Sequence, residues 1–185
     1  MKTERKGKGP RGIALVVAAC LVGASAAADS LWIGGASGNW GDVNNWSGGT
    51  VPNSADTVVR IESTSDVTIS VGSGTYTVGL IYATGGNHKI LGTGRLNLSA
   101  SSGTGVVEVA ENASLMTGCF LDASVAQGTA LVKTGTGTFS VTNKVGRTRK
   151  LNGMDVRAGL VEFGGRSNSD DVDLGVMVVI RTGRR

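Results

Sequence analysis

The chain has 185 residues, with 30 glycines, two prolines, few aromatic side chains and a formal net charge of +4. The first 28 residues hold five of the 18 basic residues and one of the 14 acidic ones, so the remainder carries 13 of each and no net charge. The basic balance belongs to the leader and gives no indication of a nucleic-acid partner. Glycine at more than twice its usual share of about 7% favours a repetitive, turn-rich domain.

Residues 1–28 have the three parts of a secretory signal peptide, expected as a short helix. Basic residues between Lys2 and Arg11 precede an apolar run at 13–22, and two overlapping A-x-A matches follow. The run is shorter than the roughly 20 residues of a spanning helix, and we expect cleavage after Ala26 or Ala28. We therefore predict a secreted or cell-surface protein. Cys20 lies in the middle of the run, which disfavours a lipid anchor and leaves the export signal as the one membrane contact.

Residues 29–56 form an N-terminal cap region that contains all three tryptophans, Trp32, Trp40 and Trp46. Asn, Gly and Ser surround these side chains, and the cluster has two interpretations. The tryptophans plug the first coil of the fold, which we favour. In the alternative interpretation they form a glycan-stacking platform, and the protein then binds carbohydrate.

Residues 57–163 consist of short runs in which apolar and polar residues alternate, with Gly, Ser, Asn or Asp between the runs. This period of two predicts β-strands with one buried face, and the abundant Val, Ile and Thr favour strands as well. The predicted strands lie at 58–61, 67–71, 76–78, 96–98, 107–109, 139–141 and 161–163.

Several of these strands share the prefix G-x-Φ-x-Φ, where Φ is apolar. The prefix begins at Gly74, Gly94, Gly105, Gly137 and Gly159. The best-matching pair is GTGRLNLS at 92–99 and GTGTFSVT at 135–142. Recurrence near multiples of ten to eleven residues predicts coils of about 20 residues, each one turn of a short all-β solenoid. We expect glycine at the corners, since it accepts positive φ and has no side chain to clash with the next coil.

The cap region resembles the start of bacterial secreted β-helix proteins with autotransporter-associated β-strand repeats. The resemblance is carried by Trp32-x-Gly34, Gly38-Asn39-Trp40, Asn45-Trp46-Ser47, Val51-Pro52 and Asp56. The segment LVKTGTGTFSV at 131–141 is similar to the repeat itself, L-x-K-x-G-x-G-x-Φ-x-Φ. Covering most of 31–163, the resemblance implies a right-handed parallel β-helix outside the cell, of the kind found in passengers and adhesins.

The chain departs from that family in length. Residues 164–185, the predicted C-terminal segment, offer one strand-like run at 174–180 and no translocator domain, so we expect a truncated or small relative. How the protein is anchored is left open.

Candidate catalytic and metal-binding groups are few. His88, the one histidine, follows Gly85 and Gly86, and we predict that it lies in a surface turn. Cys119 is expected to face inward as a small apolar side chain, and the acidic segment 170–173 to be a solvated loop. We therefore predict no catalytic, cofactor-binding or metal-binding residue and no enzymatic activity.

Two functions remain open at this point. The first is a structural or adhesive cell-surface module whose partner is a surface polysaccharide or another surface protein. The alternative is a carbohydrate-binding or polysaccharide-degrading β-helix protein that uses Trp32, Trp40 or Trp46 as stacking platforms.

Overall fold

The computed structural model describes residues 29–123, 131–143, 150–151, 153–165 and 178–180. The predicted signal peptide at 1–28, Cys20 within it, and the acidic segment 170–173 lie outside the described residues. The described part is all-β: apart from two short 3-10 turns, its regular structure consists of strands.

All the strands belong to one 14-stranded sheet, and every pairing between them is parallel. In chain order they are β1 (Asp29–Leu31), β2 (Ser37–Asn39), β3 (Ser54–Ser63), β4 (Thr68–Val71), β5 (Thr75–Gly85), β6 (Asn87–Leu98), β7 (Gly105–Val109), β8 (Ser114–Ala123), β9 (Leu131–Thr134), β10 (Thr138–Asn143), β11 (Lys150–Leu151), β12 (Met154–Val156), β13 (Leu160–Gly165) and β14 (Val178–Ile180). Each of the predicted strands is confirmed, with one change of bounds: β4 begins at Thr68, one residue after the predicted start at 67.

The strand pairing divides the sheet into three faces. Face 1 contains β1, β3, the second half of β5, β7, β9, β12 and β14. Face 2 contains β2, β4, the first halves of β6 and β8, β10 and β13. Face 3 contains the first half of β5, the second halves of β6 and β8, and β11. The chain visits the faces in the order 1, 2, 3, so the fold is a parallel β-solenoid, as predicted.

The coils are somewhat longer than the sequence periodicity predicted. Val58 pairs with Leu80, and Leu80 pairs with Val106, so these two coils take 22 and 26 residues. A coil of three straight segments and three corners needs more residues than the predicted 20.

The inward-facing side chains of the three faces form one continuous hydrophobic core. On face 1, for example, Val59 of β3 stacks on Ile81 of β5, which stacks on Val107 of β7. Each such buried side chain contributes about 1.5–3 kcal/mol relative to an exposed one. Cys119 is also buried here, at 1% exposure, which confirms the prediction that it faces inward.

The two G-T-G triplets of the best-matching sequence pair build corners at different edges of the solenoid. Residues 92–94 lead from face 2 to face 3, whereas residues 135–137 lead from face 1 to face 2. Gly92 and Gly135 both have positive φ, and a Cβ on either would collide with the carbonyl oxygen of a valine, Val71 or Val109, in the preceding coil. The shared prefix therefore marks a tight corner, and the two copies do not stack on each other.

Lys133, the lysine of the L-x-K-x-G-x-G motif, is fully buried in the core. Its ammonium group donates hydrogen bonds to the carbonyl oxygens of Thr134 (2.6 Å), Gly135 (2.8 Å) and Ala158 (3.2 Å). Since Ala158 lies one coil further along, the lysine joins the corner after β9 to the corner after β12. Burial lowers the pKa of Lys133 to about 8, and the carboxylate of Glu108 opposes this shift.

Replacement of Lys133 by Met should change the pH dependence of stability. The folded-state pKa of about 8 lies below the ordinary value of 10.5. As the pH rises, the Lys133 ammonium therefore loses its proton at a lower pH in the folded state than in the unfolded state. The free energy of unfolding of the wild type should therefore rise, relative to that of Lys133→Met, as the pH increases from 8 to about 10.5. Urea denaturation at pH 7.5 and pH 10 measures this. The exposed Lys89→Met variant serves as control and should follow the wild type; equal pH dependence in Lys133→Met and wild type would contradict the assignment.

Candidate functional site

The three tryptophans lie inside the first coil. Trp32, Trp40 and Trp46 are 7%, 0% and 1% exposed, and the Trp46 ring meets the other two edge to face at centroid distances of 5.1 and 4.9 Å. Their indole N–H groups donate to the carbonyl oxygens of Gly35, Pro52 and Trp40, respectively. Buried rings present no open face to a sugar, so this geometry supports the plug interpretation and not the stacking platform.

His88 is buried in β6, and the prediction of a surface turn is wrong. The turn ends earlier: Gly85 has a φ of +95°, and the strand begins after Gly86, so the alternation already points His88 inward together with Ile90. Its Nε2 lies 3.0 Å from the carbonyl oxygen of Thr84 and 3.4 Å from the amide nitrogen of Gly86. The shorter contact requires Nε2 to donate to the carbonyl oxygen of Thr84, so the buried His88 has a structural role at this corner.

A polar cleft of about 300 Å³ opens on the outward side of face 3. It is lined by Thr77, Asn97, Leu98, Ser99 and Asp122. Thr77 in β5, Asn97 in β6 and Asp122 in β8 occupy the same position on three consecutive coils. Strand spacing places such stacked positions about 4.8 Å apart, so the three side chains form a column across the cleft.

An ion pair borders this column. Arg95 precedes Asn97 by two residues on the same outward side, and its Nη1 lies 2.8 Å from Asp122 Oδ2. Its guanidinium carbon also lies 5.4 Å from the centroid of the Phe120 ring, which is its register partner in β8. The ring and the carboxylate thus fix the guanidinium from two directions. Because the two charges compensate each other, the cleft has little net charge.

The amide of Asn97 is only half satisfied. Its Nδ2 donates to Thr77 Oγ1 at 3.4 Å, whereas its Oδ1 is buried and has no hydrogen-bond donor among the described residues. An unmet acceptor of this kind costs about 1–3 kcal/mol. The floor of the cleft therefore has hydrogen-bonding capacity that the neighbouring side chains do not use.

One wall of the cleft is held by a clamp between distant coils. The carboxylate of Asp56 accepts hydrogen bonds from the amide N–H of Ser101, at 2.8 Å, and from its hydroxyl, and these bonds lower the pKa of Asp56. Gly79 occupies the intervening corner, where a Cβ would lie 2.8 Å from the Cα and amide nitrogen of Asp56. The glycine leaves room for the clamp, which fixes the corner that begins at Ser99.

Face 2 carries shorter polar ladders. Asp66 Oδ1 accepts from the backbone N–H of Asn87 at 2.9 Å, and Asn87 Oδ1 accepts from the Ser114 hydroxyl at 2.9 Å. One coil beyond Ser114, the Ser140 hydroxyl donates to Glu162 at 2.8 Å. The outward hydrogen bonds of face 2, like those of face 3, run along the stack from coil to coil.

Within the described ranges, no three His, Cys, Asp or Glu side chains come together in an arrangement that could hold a metal ion. No helix in this part of the chain combines the length and apolar character of a membrane-crossing segment. The absence of catalytic and cofactor residues stays a prediction.

Thr77, Asn97 and Asp122 do not stand out in the sequence. Each is a polar residue between two apolar ones, and Thr77 and Asn97 are the central polar residues of G-x-Φ-x-Φ copies. The pattern predicts that they face outward, but the register that places them in one column was not available from it.

Substitution of Gly79 by Ala should destabilise the solenoid by about 1–3 kcal/mol, because the new methyl group overlaps the backbone of Asp56. The matched control is Gly72→Ala, where an added Cβ meets nothing within 4 Å. Thermal melts of both variants test this. Similar melting temperatures for the two would argue against a packed corner at Gly79.

Substitution of Trp46 by Ala should cost about 3–5 kcal/mol of unfolding free energy, as expected for a large buried aromatic side chain. Ile33→Ala, in the same coil but at a side chain that is 57% exposed, should cost much less. Chemical denaturation provides both values. A Trp46 variant that is as stable as the Ile33 variant would show that the tryptophans do not hold the first coil together.

Known proteins provide no template for this site. No protein-family model matches the chain, and neither a curated protein nor a solved structure matches it. The resemblance to autotransporter-associated repeats thus rests on the sequence motifs alone and stays an expectation.

Proposed function

We propose that this protein is an exported, non-catalytic structural and adhesive module of the bacterial cell surface, built like a short autotransporter passenger. Its coils form a rigid support, and its outward faces present polar side chains to a surface polysaccharide or to another surface protein.

The observation that carries this proposal is the register of the outward side chains. Thr77, Asn97 and Asp122 form a column on face 3, and Asp66, Asn87 and Ser114 form a second ladder that leads into face 2. Since neighbouring strands are about 4.8 Å apart, such columns present a linear array of similar groups. Stacked repeats commonly use extended surfaces of this kind for binding.

The leader supports export. A basic start, an apolar run of about ten residues and an A-x-A site are the properties that the secretory machinery reads. Only one cysteine, Cys119, follows the expected cleavage site, and it is buried in the core. The stack is therefore held by packing and by backbone pairing, which suits a module that must persist outside the cell without a disulfide framework.

The alternative function, carbohydrate binding or degradation, loses its original basis because Trp32, Trp40 and Trp46 are buried. Degradation in particular has no positive support among the described side chains. Asp122, the acidic residue that lines the cleft, is engaged by Arg95, whereas glycoside hydrolysis generally uses two carboxyl groups across the scissile bond.

Expression of the full chain in a bacterial host tests the proposal. We expect the mature N-terminus after residue 26 or 28, recovery of the protein outside the cytoplasm, and saturable adhesion of protein-coated beads to bacterial cells. Incubation with polysaccharides should release no reducing sugar. A protein that stays in the cytoplasm and still begins at Met1 would contradict the proposed function. Measurable turnover of a polysaccharide would also contradict it.

A further inference from the structure

We infer that the cleft on face 3 is a binding site for a neutral saccharide, held by Thr77, Asn97, Ser99 and Asp122. The inference deepens the proposed adhesive function, on which it rests, by assigning a chemical class of ligand to one surface of the solenoid.

The lining of the cleft has the hydrogen-bonding complement of a sugar. Thr77 and Ser99 provide hydroxyl groups that both donate and accept, and Asn97 provides an amide with both functions. Asp122 provides a carboxylate, which has about four acceptor sites and uses Oδ2 for Arg95. Sugar hydroxyls likewise donate and accept, so each of these side chains has a complementary partner on a saccharide.

The unmet acceptor of Asn97 favours the binding of a ligand that can donate a hydrogen bond. Oδ1 of this lining residue is buried and has no donor among the described residues, and the Nδ2 contact to Thr77 is long, at 3.4 Å. A small rotation of the amide brings Oδ1 to the surface, where a sugar hydroxyl donates to it. Binding then supplies a donor to an acceptor that has none among the described residues.

The electrostatics favour a neutral ligand. Arg95 Nη1 lies 2.8 Å from Asp122 Oδ2. An anionic ligand is therefore repelled by the carboxylate, and a cationic ligand is repelled by the guanidinium. A hard cation such as Ca²⁺ also prefers six to eight oxygen ligands and several carboxylates, but among the described residues that line the cleft Asp122 is the one carboxylate. A neutral polyhydroxyl compound has neither conflict.

The geometry favours a saccharide chain that lies along the stack. The cleft volume of about 300 Å³ is at the lower end of small-molecule sites, which corresponds to one or two sugar units. Its polar column crosses three coils, and the wall at Ser99 belongs to the corner that Asp56 fixes through Ser101. A site on three coils and a clamped corner is preorganised, which reduces the entropy cost of binding.

The test is affinity electrophoresis of the protein purified from full-chain expression, in gels that contain dextran, mannan, galactan or laminarin as probes. We expect at least one of these neutral polysaccharides to retard the wild type. Asn97→Leu should weaken the apparent affinity by about tenfold or more, because the central acceptor is lost. Ser70→Ala, an exposed site on face 2, should leave retardation unchanged.

A second variant keeps the test decisive if Asn97→Leu does not fold. Thr77→Val preserves the volume at the edge of the cleft and removes one hydroxyl, so it should also reduce retardation severalfold. Retardation by none of the four polysaccharides, or equal retardation of the wild type and both cleft variants, would overturn the inference. Calorimetric binding of Ca²⁺ alone that is lost in the cleft variants would also overturn it, in favour of a cation site.

The outcome is separable from that of the proposed function. Cell adhesion of coated beads that persists in the cleft variants, without retardation by any probe, would reject this site and leave the adhesive module standing. Intracellular retention of the protein, together with polysaccharide retardation that depends on Asn97, would reject the surface role and leave the site standing.

Discussion

The close approach of successive coils at their corners is the constraint on which the rest of this structure depends. A parallel stack places each corner directly over the previous one, about 4.8 Å away, so the backbone must turn sharply with no side chain between the coils. Gly92 and Gly135 meet this requirement: both have positive φ, and both pack directly against a carbonyl group of the preceding coil. Among the described residues, Gly92 and Gly135 therefore reflect a requirement for close backbone approach rather than for flexibility.

Corner geometry also explains two polar residues that are unusual for a small β protein. The buried Lys133 donates hydrogen bonds to carbonyl oxygens that a tight corner turns away from strand pairing. In this way it joins two consecutive corners. Asp56 reaches Ser101 across Gly79, so one carboxylate joins the corners of two coils that are separated by a third. In both cases a charged side chain takes over hydrogen bonding that the strands cannot provide. The core supplies most of the stability, and these contacts fix the path of the chain between faces.

The sequence was sufficient for the fold because its local signals agree. Alternation of period two located the strands, and the recurring glycines indicated a coil. The same signals misplaced His88, because two adjacent glycines suggested a longer turn than Gly85 and Gly86 build. They also made residues 92–99 and 135–142 look equivalent, although these occupy different faces. Local patterns specify corners and inward positions, whereas register depends on the lengths of the segments between them.

The same distinction limits what the sequence revealed about the site. Tryptophan is prominent in a sequence and invites a binding role, yet Trp40 and Trp46 are among the most buried residues. The column of Thr77, Asn97 and Asp122 consists of residues 20 and 25 positions apart, which only the observed register brings together.

The central claim is the in-register stack of three-faced coils, and paired spin labels on face 2 test it most directly. Thr68, Lys89, Met116, Ser140 and Glu162 follow one another in register, so Thr68 is three strands from Ser140 and four from Glu162. With Cys119 replaced by Ala, double electron–electron resonance should give narrow distance distributions for Thr68–Ser140 and Thr68–Glu162. The two distances should differ by about one strand spacing of 4.8 Å. Broad distributions, or distances that do not increase by one spacing, would contradict the stack.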